Sequence, residues 1–335
     1  MKRSNISAML LAFSALTLVS LSPAQAQSPT GAQAAAYPNK AIRLVIPYPP
    51  GGGIDAMSRV IGQQLSQRWS QPVIIDNKPG AGTIVAAESV ARAAPDGYTL
   101  MITTDATITI NPHLYGKLPY DPVKDFVPVM QLVFLNQLLL ANPGVPAGDL
   151  KGLIAYAKSN PAKLNYASYG SGSQPNLAME MLKSQTSTDI VHVPYKGIPQ
   201  AVPAAIANEV QLTFSGAASS IAHLKSGRLK ALAVGGKTRL NLLPEVPTFA
   251  EQGFPDIPSN AWFGLFAPAG TPAGVVMKLH AEVTKILNDP EFVQREIIAK
   301  GYELVASKPE EFVAFLAADS VRNARAVKIS GAKAE

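Results

Sequence analysis

Ile42-Arg43-Leu44-Val45-Ile46-Pro47-Tyr48-Pro49-Pro50-Gly51-Gly52-Gly53-Ile54-Asp55 is the stretch that decides the fold. Residues 42–46 are mostly apolar and partly β-branched, which predicts a short buried strand, and the prolines after it end that strand. Beyond the glycines, Ile54, Met57, Ile61, Leu65 and Trp69 recur mostly three or four apart, so a helix starts there. A strand that turns through glycines into a helix is the building unit of a parallel α/β sheet.

The unit recurs outward from this point. A strand at 73–76 leads into a second Gly-rich turn, then a helix over 84–93 and a strand at 98–103. A second series begins near Leu138, with strands at 138–141, 164–167, 190–193, 210–214 and 229–234. Helices over 150–159, 176–183, 198–208 and 219–226 alternate with them, and 272–323 reads as mostly helical. The spacing predicts two α/β lobes. The first takes 37–137 plus 256–335 and the second takes 138–255, with crossings near 133–138 and 256–266.

The 335 residues contain no Cys and four His. That excludes a disulfide scaffold, a thiol nucleophile and a Cys-ligated metal, and no cofactor or metal is expected. A formal charge of +6 suits a protein that meets anions without suggesting nucleic acid. Met1-Lys2-Arg3, the apolar run to Leu21 and Ala24-Gln25-Ala26 together read as a signal peptide over 1–26, cut after Ala26. The mature chain is expected in the periplasm.

Two loops are candidates for holding an anion. In 48–55, glycines let backbone N–H groups face one point, and the helix start adds partial positive charge. Tyr48, Gly51, Gly52, Gly53, Ile54 and Asp55 are the candidates there, with Gly52 expected to need glycine's backbone freedom. Asp55 reads first as a cap or first-turn acid, and otherwise as a grip for a ligand ammonium. In the second lobe, Tyr169, Gly170, Ser171, Ser173 and Asn176 occupy the same position before a helix. Thr104 and Lys196 complete the set.

Catalytic motifs are missing. Gly235-Gly236-Lys237-Thr238 lacks the first glycine of a phosphate-binding loop, no G-x-S-x-G occurs, and Ser171 has no base visible in the sequence.

Five ordered blocks resemble a known family. They are Tyr48-Pro49-Pro50-Gly51-Gly52 with Asp55 and Arg59, then Asp76-Asn77-Lys78-Pro79-Gly80-Ala81-Gly82, then Pro194-Tyr195-Lys196-Gly197. Leu243-Pro244-Glu245-Val246-Pro247-Thr248 and Trp262-Phe263-Gly264 through Pro272 follow. The chain resembles the Bug or TctC substrate-binding proteins of tripartite tricarboxylate transporters. The resemblance implies an α/β, two-lobed periplasmic-binding-protein type II (Venus flytrap) fold and no enzymatic activity. It also implies a small carboxylate ligand: a di- or tricarboxylate, an acidic amino acid or an aromatic acid. The expected partners are that ligand and the membrane permease subunits, with the receptor itself a monomer. Thr83 stands where the family often has a further glycine, and Gln174-Pro175-Asn176 replaces a stretch that usually carries a histidine. The alternatives are a sensor subunit that presents its ligand to a signalling partner, and an exported hydrolase using Ser171 or Asp55.

Overall fold

Ten strands form one continuous sheet in the computed structural model, which describes residues 37–236, 238–257 and 259–333. The expected signal peptide lies outside the described residues. In chain order the strands are β1 Ile42–Ile46, β2 Val73–Asn77, β3 Thr99–Thr103, β4 Phe126–Ala141, β5 Asn165–Ser168, β6 Val191–Pro194, β7 Leu212–Gly216, β8 Lys230–Val234, β9 Asn260–Pro268 and β10 Tyr302–Leu304. The principal helices are α1 Gly53–Trp69, α2 Ile84–Ala91, α3 Leu150–Ser159, α4 Gln174–Thr186, α5 Ile198–Ile206, α6 Ala217–Lys225, α7 Ala273–Leu287 and α8 Pro309–Ser330.

The strand order is β2-β1-β3-β9-β4-β7-β5-β6, with β8 and β10 also paired to β4. The expectation of a parallel α/β sheet holds for part of the sheet. β1–β2, β1–β3, β5–β6 and β5–β7 are parallel, but β9 runs antiparallel to both β3 and β4, and β4 runs antiparallel to β7. The cause is β4, a 16-residue strand whose last four residues were all that the sequence signalled. Its first part, from Phe126 to Asn136, pairs with β9, and its last part, from Gln137 to Ala141, pairs with β7. One strand thus belongs to both halves of the sheet.

Each half has its own core. Ile42, Leu44, Ile46, Ile54, Met57, Ile61 and Leu100 pack with β9 and α7 in one, so the three-four spacing of α1 does face inward. Leu139, Leu150, Tyr166, Leu177 and Phe214 pack in the other. The C-terminal helix α8 serves both. Phe312 near its start packs with Trp262 and Phe266, while Ala326 and Val327 near its end join the core of the second half.

Candidate ligand site

The site begins with the turn between β1 and α1. Gly51 has φ 95°, the left-handed region where glycine is favoured, while Gly52 has φ −82° and ψ 170°, ordinary extended backbone. The freedom expected of Gly52 is therefore needed one residue earlier. Asp55 holds the turn in place from behind. Its Oδ2 accepts the Gly51 N–H at 2.9 Å and Arg59 Nε at 3.0 Å, and its Oδ1 accepts Asn77 Nδ2 at 3.0 Å. Burial pushes this carboxyl up, but the bonds from Arg59, Gly51 and Asn77 outweigh that and hold it below its ordinary value. Asp55 is thus an ionised staple for the loop. It does not line the cavity. The start of α1 has no side-chain cap, which leaves its first N–H groups to be satisfied from outside the helix.

α4 repeats the arrangement from the second half. Ser173 is its N-cap residue, and no side chain caps it. The Ser173 hydroxyl donates to Gly170 O at 2.7 Å, and Asn176 Oδ1 accepts the Gly172 N–H at 2.9 Å. Asn176 Nδ2 donates to the Tyr166 hydroxyl at 2.8 Å. Gly170 and Asn176 therefore shape the loop and do not line the cavity.

Between the two helix starts lies a cavity of about 50 Å³, room for a few waters or one end of a small ligand. Of the residues expected from sequence, Tyr48, Gly52, Gly53, Ile54, Thr104, Tyr169 and Ser173 line it. Gly51 instead faces a wider groove on the other side of the turn. Ser171 does not line the cavity, and Lys196 is exposed with its backbone N–H on Gln200 Oε1. Among the described residues lining the cavity, none is Lys, Arg or His.

Several walls were not anticipated. Leu135 and Gln137 come from β4, Ala261 and Phe263 from β9, and Asp105 from the end of β3. Gln137 Nε2 donates to Gln174 Oε1 at 2.7 Å, which ties β4 to the start of α4. The Tyr48 hydroxyl pairs with Thr104 Oγ1 at 3.2 Å, and the Tyr169 hydroxyl donates to Phe214 O. Burial raises both phenols above their ordinary value, so both stay neutral donors. The halves touch at the rim, where a Cβ on Gly197 would sit 3.5 Å from the Pro49 ring.

A serine and a histidine do meet, Ser168 Oγ and His192 Nε2 at 2.6 Å. Ser168 is fully buried, its hydroxyl also serves Gly170, and neither residue lines the cavity. Among the described residues, no group of acidic or histidine side chains could hold a metal ion, and no helix is long and apolar enough to cross a membrane.

This geometry has known counterparts. The family model described as the tripartite tricarboxylate transporter family receptor, TctC, matches residues 57–331. The chain belongs to this family. A solved periplasmic transporter is 40% identical with a TM-score of 0.85, over 90% of this chain and all of that one. Rpa4515 of R. palustris, solved with adipate, is 31% identical with a TM-score of 0.85, over 89% of this chain and 99% of that one. MatC of Rhodopseudomonas palustris, solved with bound malate, is 32% identical with a TM-score of 0.82, over 87% of this chain and all of that one. The TctC fold of this chain is therefore the two-lobed periplasmic-binding-protein fold, and its relatives are solute-binding receptors.

Proposed function

We propose that this chain is an exported receptor that captures a small carboxylate between its two lobes and delivers it to a tripartite tricarboxylate-type permease. The lobes are taken as 37–137 with 256–335, and 138–255. The observation that carries the reading is the pair of uncapped helix starts, α1 and α4, facing one cavity whose lining holds neutral donors and no cation. Backbone N–H groups at such ends bind anions without a full positive charge. The bound acids of Rpa4515 and MatC support a dicarboxylate as the first class to try. The periplasmic transporter among the structural neighbours supports the periplasm as the compartment. No bond of the ligand is made or broken; lobe closure exchanges its water for fixed donors.

The test is a thermal-shift screen of a carboxylate library, followed by calorimetry on each hit and mass spectrometry of the recovered ligand. At least one small acid is expected to raise the melting temperature and to be recovered unchanged. A screen in which no carboxylate stabilises the protein, or a bound acid that is turned over, overturns the reading.

A further inference from the structure

The cavity suited to an acid already contains one. Asp105 opens the π-helical turn Ala106–Ile110 after β3, is 3% exposed and lines the same cavity as Gly52, Gly53 and Gln174. Its Oδ1 accepts the Ala106 N–H at 3.0 Å. On the cavity side its charged or titratable neighbour is Tyr48, bonded to the adjacent Thr104. From behind, α8 presents Asp319 and Arg322.

Charge balance around this group is poor. Arg322 is ion-paired with Asp319 Oδ1. Asp319 Oδ2 also accepts Thr109 Oγ1 at 2.7 Å and Trp262 Nε1 at 2.9 Å. Arg322, the cation that faces Asp105 from α8, is thus already engaged by a second carboxylate. An ionised Asp105 together with a ligand carboxylate would put two anions into one buried space whose lining holds neutral donors and no cation. Two carboxylates in such a site hold one proton between them.

We propose that Asp105 meets the ligand's carboxylate as a protonated acid, so that capture takes up one proton and release returns it. This rests on the carboxylate-receptor reading and specifies the chemistry at one end of the ligand. The Asp105 O–H donates to the ligand carboxylate, as the Tyr48 hydroxyl and the helix N–H groups can. Burial, reinforced by Asp319, pushes the Asp105 carboxyl up to about 7, so both forms are populated near neutral pH. None of the four histidines lines the cavity, so none of them supplies the same proton.

Calorimetric titration with malate, adipate and benzoate tests this between pH 6 and 8, in buffers of high and low ionisation heat. The difference in heat between buffers counts the protons taken up. Uptake of about half a proton is expected at pH 7 and about 0.9 at pH 8, with affinity falling about fivefold between those two values. Asp105→Asn keeps an N–H donor that does not titrate. It should bind about tenfold more tightly than the parent at pH 8, with no buffer dependence, a gain that a damaged fold cannot produce. Acid binding without proton uptake overturns the proposal and leaves the receptor reading intact. Binding that strengthens with pH and collapses in Asp105→Asn shows that the ionised carboxylate is the form that binds, and overturns the proposal. If neither these three acids nor any acid of the carboxylate library binds at any pH, the carboxylate reading fails, and this proposal with it.

Discussion

Replacing Gly52 by valine probes the grip of the β1–α1 turn on the ligand. Gly52 has extended backbone angles that any residue adopts, and a Cβ added there meets nothing within 4 Å. The substitution therefore costs the fold little. Its three added carbons stand beside a cavity of only about 50 Å³, where they keep a ligand off the N–H groups of the helix start. A hydrogen bond to a charged group contributes about 1.5–3 kcal/mol. Losing even one lowers affinity at least tenfold, since about 1.4 kcal/mol is a factor of ten. Gly53 supplies the contrast. A Cβ there would lie 2.6 Å from the Tyr302 hydroxyl and 4.0 Å from Phe263 Cζ, and the Tyr302 ring is buried against Phe263 with centroids 5.8 Å apart. Overpacking of this kind costs about 1–3 kcal/mol. For a protein of this size, that lowers Tm by several degrees, at about 2–4 °C per kcal/mol. Calorimetric titration and scanning fluorimetry on both variants separate the two effects. Gly52→Val should keep its Tm within about 2 °C and lose at least tenfold in affinity, whereas Gly53→Ala should lose Tm. A folded Gly52→Val that binds as tightly as the parent places the ligand elsewhere and refutes the reasoning.

Three further outcomes are expected. Lys196→Ala and Ser171→Ala should each bind within about twofold of the parent by calorimetry, because neither residue lines the cavity. Asp55→Asn should lose about 1–3 kcal/mol in a urea titration at pH 7, since it weakens the bonds from Arg59, Gly51 and Asn77. The folded Asp55 carboxyl sits below its ordinary 3.8, so its contribution is complete above about pH 4 and is lost as pH falls through the folded value. Parent and variant should therefore converge in acid. Asp105 has the opposite sign: its carboxyl rises from 3.8 to about 7 on folding, so the folded state binds more protons than the unfolded across that interval. The parent should lose stability as pH rises from about 4 to 7, by up to about 4 kcal/mol, and Asp105→Asn should flatten that decline in urea titrations at pH 5 and 8.

Most of the secondary structure was legible because its signals are local. The buried faces of α1 and α3 show as apolar spacing; the cap on α3, Asp149, whose side chain accepts the Gly152 N–H, is a structural finding. β4 was legible only at its end. Its first twelve residues contain Pro128, Gln131, Asn136 and Gln137, so no strict alternation marks a strand, and burial on both faces removes the alternation in any case. β9 suffers likewise, and these two antiparallel strands turn a parallel design into a mixed sheet. The helical reading stopped at Asn323, short of the end of α8 at Ser330, and nothing local says that Phe312 and Val327 belong to different cores.

The same division between local and long-range information runs through the site. The turn was visible in three consecutive glycines after two prolines, although the left-handed residue is Gly51 at φ 95° and not Gly52, and the ion pair of Asp55 with Arg59 was not read from their i, i+4 spacing. Gln137, Phe263 and Asp105 were not visible, because each reaches the cavity through the register of a strand with no motif of its own. Gln137 is placed by pairing opposite Gly216, and Phe263 by pairing opposite Val133. Asp105 depends on more still: it needs β3 to end where α8 brings Asp319 and Arg322 up behind it, 214 and 217 residues further along the chain. Residues that shape a turn are written next to one another, and so the two Gly-rich loops at the cavity could be read from the sequence. Residues that set the charge of the cavity are assembled by the fold, which is why the acid inside it becomes apparent only once the sheet is in place.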